Sequence, residues 1–151
     1  LKFKFRNRDY LLENDPKSTM LHGFFAGGIE APEQNFAPVF LAHAWLYTFA
    51  CMPLVKPLRR LALHKIHSTL QYFQLYDERI IDVIELARYA YEHGEDRSKD
   101  GAIDDLRMLV VEYIASEIST FRDHKDFVEL LEEGGEFVVD FWRVAVKEKL
   151  V

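Results

Sequence analysis

The sequence predicts an all-α fold, an irregular multi-helix bundle of about six helices behind a poorly structured N-terminal segment. Three observations predict it. From Pro38 onward, apolar residues recur three and four positions apart, the spacing that lines one face of a helix. That recurrence is punctuated by prolines, a glycine pair and a charged run, which are signals for helix starts and stops. Apolar residues make up 49% of the 151 positions, with 12 Phe and 7 Tyr, which is enough for the core of one domain and argues against disorder across the whole chain.

Two regions are expected: a loop-rich segment over 1–37 and a helical domain over 38–151. In the first, "KFKF" at 2–5 alternates like a short strand, and "RNRDYLLENDPKST" then turns polar around Asp15-Pro16. "LHGFFAGGIEAPEQN" mixes apolar residues with Gly23, Gly27, Gly28 and Pro32. It reads as loop with a short helix near Met20 to Phe25.

In the helical region, "PVFLAHAWLYTFA" reads as a buried helix with Pro38 in its first turn, where the missing N–H costs little, and Pro53 beyond its end. "KPLRRLALHKIHSTLQYF" begins the next helix with Pro57 near its start. Leu58, Leu61, Ala62, Ile66 and Leu70 form its inner stripe. "DERIIDVIELARYAYEH" follows, with Asp77 as the expected N-cap and Ile80, Val83, Ile84, Ala87 and Tyr91 on its apolar face. "GEDRSKDG" reads as a charged loop. "AIDDLRMLVVEYIASEISTF" is expected to be the longest helix, with Leu106, Val110, Tyr113, Ile114, Ile118 and Phe121 as its stripe. Asp123 is the expected cap of "HKDFVELLEE". The last helix, "EFVVDFWRVAVKEKL", places Val138, Phe141, Trp142 and Ala145 on one face.

Gly134 and Gly135 separate the last two patterns. Gly134 is expected in the left-handed conformation that ends a helix, and Gly135 in an ordinary turn into the next one. Glu136 then sits at the favourable end of the following helix dipole. No strand precedes the pair, so a helix–helix corner explains it without a phosphate loop.

Charge and composition narrow the function. The net charge of −6 favours neither a nucleic acid nor an anionic membrane as partner. "KFKFRNR" at 2–8 reads as a short exposed basic segment. Cys51 is the only cysteine, so no internal disulfide forms, which suits an intracellular compartment, cytoplasm or nucleus. No apolar run is long enough to span a bilayer. The start at Leu1 reads as a boundary or a truncated start and not as a secretory signal.

No residue set specifies a reaction, so no catalytic, cofactor-binding or metal residue is assigned and no cofactor is expected. His64 and His67 in "HKIH" share a helical face, but a metal site needs a third ligand. Glu-x-x-His and His-Glu-x-x-His are both absent from the sequence. A small helical metal-binding protein or enzyme using His43, His64 or His67 is the alternative reading. Cys51 reads as a small buried or half-buried thiol. Neither a Gly-x-Ser-x-Gly elbow nor a Walker loop occurs. Asp104-Asp105 and Glu132-Glu133 are adjacent and do not face one another on a helix, so solvation and dipole effects account for them. Trp45 and Trp142 lie on apolar stripes and read as core, with the border of a partner groove as the alternative for either.

Three stretches together resemble a family: "HAWLYTFACMPLVKPLRRLALHKIHSTL", "RIIDVIELARYAYEH" and "DDLRMLVVEYIASEI…FVELLEEGGEFVVDFW". They are similar to the C-terminal half of fungal BTB/POZ-domain proteins, over about Phe36 to Leu150. There a "LYxxA" helix leads through a short turn to "PLRxLAL" and closes the BTB fold before further helices. The turn here is Cys51-Met52-Pro53 in place of the family's Asp-Lys-Tyr-like one. The resemblance implies a truncated member, the last BTB helices plus the helical extension. It implies a protein–protein interaction module without catalysis, part of a BTB-type adaptor, some relatives of which serve cullin-type ubiquitin ligases. It also implies partner-facing residues. Phe40, Ala44, Tyr47 and Leu58 lie where upstream elements would pack, and are expected to stand partly uncovered beneath a lid of Phe24, Phe25 and Ile29. Weak self-association, or an unidentified protein partner, is expected at that surface.

Overall fold

The computed structural model describes residues 1–11, 31–50 and 56–150. Among these the regular elements are all helical, and an all-α bundle is the observed architecture. The elements are α1 (Lys2–Arg6), α2 (Ala37–Phe49), α3 (Lys56–Gln71), a 3-10 turn (Asp77–Arg79), α4 (Ile80–His93), α5 (Asp105–Ser116), α6 (Ile118–Phe121), α7 (Lys125–Glu133) and α8 (Glu136–Lys147). The expected helix near Met20 to Phe25, the Asp15-Pro16 turn, Cys51, Pro53 and the lid residues Phe24, Phe25 and Ile29 lie outside the described residues.

α4 is the hub. Ile80, Val83, Ile84, Leu86, Ala87 and Ala90 are all fully buried, an arc wider than one stripe. It packs against α2, α5, α7 and α8. α5 is the second central element, with Leu106, Leu109, Val110, Val111, Ile114 and Ala115 fully buried. Each large aliphatic side chain removed from water in this way contributes about 1.5–3 kcal/mol before the cost of ordering the chain. Pro38 does lie in the first turn of α2. The start of that helix is tied to α4 because the Phe36 N–H donates to the buried Asp82 carboxylate at 2.9 Å.

Several local expectations are corrected. "KFKF" forms a helical turn, not a strand, with the Phe5 N–H donating to the Leu1 carbonyl at 2.9 Å. A strand would put Phe3 and Phe5 on one face. Here Phe5 enters the core, 4.9 Å from the His67 ring and 5.5 Å from Tyr113 by centroid, while Phe3 is exposed. Asp77 does not cap α4. It opens the 3-10 turn, and Arg79 occupies the N-cap position without a side-chain bond. Asp123 does not cap α7 either. His124 does, its Nδ1 accepting from the Asp126 N–H at 3.3 Å, while Asp123 faces solvent beside Arg122. The long helix expected to run to Phe121 breaks at Glu117. Ser116 Oγ donates to the Tyr113 carbonyl there at 2.8 Å and shares it with the Glu117 N–H, which divides between Tyr113 and Ile114.

The glycine corner joins α7 to α8 as expected, but by a different conformation. Gly134 has φ 74° and ψ −144°, and Gly135 has φ 78° and ψ −165°. Both combine positive φ with nearly extended ψ, a region open to glycine and not to L side chains. Neither is a left-handed cap, and Gly135 is as constrained as Gly134. A Cβ at either position would meet nothing within 4 Å, so the cost of substitution lies in the backbone and not in crowding. Gly134→Ala and Gly135→Ala are each predicted to destabilise the fold by about 1–3 kcal/mol in urea melts. Wild-type stability in either variant would show that the corner adopts another conformation.

Candidate functional site

The sequence of α2, "APVFLAHAWLYTF", contains no charged residue, so both its faces are apolar. Its inner face carries Phe40, Ala44 and Tyr47, all fully buried. The expectation that these three stand uncovered is therefore corrected. α3 and α4 of the same chain cover them, and Phe40 packs 5.3 Å from Phe73 by ring centroid. Leu58 is half-buried near the start of α3.

The outer face of α2 is open. Trp45 is 56% exposed and Phe49 55% exposed, and their rings stack at 5.4 Å with an interplanar angle of 13°. Val39, near the helix start, is 40% exposed on an adjoining flank. α8 repeats the arrangement. Phe137, Val144 and Ala145 point into the core, with Val138 and Phe141 packed beside them. Val139, Trp142 and Val146 point out, at 47%, 59% and 51% exposure. The assignment of Trp45 and Trp142 to the core is corrected. Trp142 follows Phe141 by one residue, and one residue turns a helix by about 100°, which carries the indole out of the inner arc.

Two polar networks hold these helices in place. Asp104 caps α5, accepting from the N–H groups of Leu106 at 3.2 Å and Arg107 at 3.4 Å. It also accepts from the Tyr47 hydroxyl of α2 at 2.6 Å and from Arg59 of α3 at 2.8 Å. Arg59 lies over the Tyr47 ring, 4.5 Å from its centroid. Solvation does not explain Asp104, because its side chain is wholly buried. Burial, followed by the Asp104 carboxylate, pushes the Tyr47 phenol up, so it remains a neutral donor.

The second network centres on Arg107, buried between α4, α5 and α8. It donates to the carbonyls of Ala90 at 3.2 Å, Tyr91 at 3.1 Å and Gly94 at 3.4 Å, and to Glu136 at 2.6 Å. Nearby, the buried Asp140 of α8 accepts from the Tyr91 hydroxyl at 2.9 Å and from Arg97 of the charged loop. A cleft of about 350 Å3 opens beside this network at the glycine corner, walled by Ala87, Tyr91, Leu130 and Phe137. Arg88 bridges Glu85 at 3.0 Å and Glu133 at 2.6 Å along its edge.

The histidines stand apart from these networks. His67 is buried, and its Nε2 meets the Phe5 carbonyl at 2.6 Å. A carbonyl only accepts, so Nε2 carries the proton. His64 is half-buried near Ser68, and His43 is half-buried with its pKa lowered by burial and by Lys65. Among the described residues no group of three His, Cys, Asp or Glu side chains is placed to hold a metal. No described helix is long and apolar enough to cross a membrane.

Sequence reasoning missed Asp104 and Arg107 as organising residues. An acidic residue just before an apolar periodic run is a legible cap signal. Nothing local announces that the same carboxylate also receives Tyr47 and Arg59 from far along the chain. No protein-family model, curated protein or solved structure matches the chain.

Asp104→Ala removes the cap and takes from Arg59 and Tyr47 the buried carboxylate that they share. It is predicted to cost about 3 kcal/mol, against about 1 kcal/mol for Tyr47→Phe. Urea unfolding giving the two variants equal loss would contradict Asp104 as the node. Burial lowers the His67 pKa, outweighing its bond to Phe5. The unfolded chain therefore takes up a proton, at an ordinary pKa of about 6.5, that the fold resists. Stability is fully present above that pH and falls as the pH drops below it. His67→Gln keeps a donor but no titration, and is predicted to lose less stability than wild type between pH 7 and pH 5. An unchanged pH dependence would contradict a buried neutral imidazole.

Proposed function

We propose that the chain is a helical protein–protein interaction module that binds through the outward faces of its helices, without making or breaking bonds. One observation carries the reading. Large aromatic residues, Trp45 with Phe49 and Trp142, stand more than half exposed on two helices whose opposite faces are core. Scattered exposed aliphatic residues are ordinary, but aromatic side chains aligned along a helix are typical of contact surfaces. The buried networks at Asp104 and Arg107 support it further, since they hold both faces rigid and lower the ordering cost of binding.

The resemblance to the end of a BTB-type fold and its helical extension points the same way. Within this proposal the chain forms part of an adaptor that presents a partner to a larger assembly. A cullin-type ubiquitin ligase is the assembly that the resemblance implies. Weak self-association fits the uncharged outer face of α2, which brings no like charges together.

Affinity capture from a native cell extract tests the reading. Wild-type chain is compared with Trp45→Glu and Trp142→Glu, each checked for unchanged helicity by circular dichroism. A discrete set of proteins held by wild type and lost in at least one variant is predicted. Retention of the same set by all three chains, or of none, would contradict the proposal.

A further inference from the structure

The two outward faces differ in charge, and that difference bears on what each can take. The outer face of α2 belongs to a helix with no charged residue. On α8, Val139, Trp142 and Val146 are spaced three and four residues apart, a ridge rising roughly 10 Å along the axis. Such a ridge matches the i, i+3, i+7 contacts by which one helix receives another.

The acids of α8 are already taken by the chain's own cations. Glu136 pairs with Arg107 at 2.6 Å, and Asp140 with Arg97. Just past the helix, Glu148 pairs with Lys4 at 2.9 Å. Glu112, which faces Lys147, is held by Arg8 at 2.6 Å. The cations beside the ridge outnumber the acids near them. Arg143 and Lys147 line a cleft with Glu112 and Glu148, but those two carboxylates are already bound by Arg8 and Lys4. Arg143, Lys147 and Lys149 themselves form no close ion pair among the described residues and are exposed. A chain of net charge −6 thus carries a locally positive rim along an apolar ridge.

We propose that this face of α8 docks an acidic amphipathic helix of a protein partner, its apolar side on Val139, Trp142 and Val146 and its carboxylates on Arg143 and Lys147. This rests on the interaction-module reading and names the partner's chemistry. A second copy of the chain fits the face less well, because α8 against α8 brings Arg143 and Lys147 toward their own like charges. An anionic membrane also fits less well. Juxtaposed basic clusters that hold such surfaces carry about four to eight cations, and the rest of this chain repels them. Nucleic acid meets the same objection.

Isothermal titration calorimetry on the whole chain tests the proposal. The probe is a synthetic three-heptad amphipathic helix with leucines along one side and glutamates flanking them, compared with the same helix flanked by lysines. The glutamate-flanked helix is expected to bind at least about tenfold more tightly than the lysine-flanked one. Trp142→Ala should weaken it by at least about tenfold. Arg143→Glu combined with Lys147→Glu should reverse the preference, and all three positions are exposed enough to leave the fold intact. Equal binding of the two helices, no binding of either, or a preference untouched by charge reversal would overturn the proposal. So would self-association abolished by Trp142→Ala, which would assign the face to a second copy. Sedimentation with phosphatidylserine vesicles but not with the helix would assign it to a membrane. Extract proteins held through Trp45 alone, with neither helix bound, would sink this inference and leave the interaction-module reading standing.

Discussion

Arg107 secures the end of the central helix to two of its neighbours. The last carbonyls of any α-helix lack partners within it. In α4 the Tyr91 carbonyl receives the Arg107 guanidinium, which also reaches the carbonyl of Gly94 and that of Ala90, the last already bonded to the Gly94 N–H. A buried charge is costly unless it is paired and hydrogen-bonded, and Glu136 completes the pairing from the first residue of α8. The cation also sits at the negative end of the α4 dipole, where it is favoured. About one turn before Arg107, at the N-cap of α5, Asp104 gathers Tyr47 of α2 and Arg59 of α3. The first turn of α5 therefore reaches the four helices α2, α3, α4 and α8.

That arrangement determines which surfaces are left outside. α8 is held at its start by Glu136 and at its middle by Asp140, which also receives Tyr91. α2 is held by Tyr47 near its end and by the Phe36–Asp82 bond near its start. Neither helix can roll to hide Trp45, Phe49 or Trp142 without breaking a buried polar contact. The exposure of these aromatic side chains is therefore a consequence of the core's own wiring. It leaves two faces of unlike character, one uncharged and one with a cationic rim.

Much of this was legible in the sequence, and the rest for physical reasons was not. The stripes of α4, and of α5 as far as Ile114, read correctly because long runs of helical spacing admit few alternatives, while the expected continuation to Ile118 and Phe121 crossed a break at Glu117. Pro38 and the glycine pair marked real boundaries for the same kind of local reason, a backbone restriction carried by one residue. Short or neighbouring signals failed. Four residues of "KFKF" cannot separate a strand from a single helical turn. Phe141 and Trp142 are adjacent apolar residues, and only the packed arc decides which one faces inward. Asp123 and His124 compete for one cap, and backbone geometry selects the histidine. Phe40, Ala44 and Tyr47 were legible as apolar, but whether they are covered depends on α4, more than thirty residues further along. Asp104 belongs to the same class: its capping role is local, and its partners are not.

Arg107 couples the end of α4 to the start of α8. Amide hydrogen exchange on Arg107→Met measures this directly, because methionine keeps much of the stem's packing while removing every donor. Coupling predicts that the last turn of α4 and the first turn of α8 lose protection together, while the interior of α3 keeps it. Unchanged protection at both ends, or loss at α4 with α8 unaffected, would contradict it.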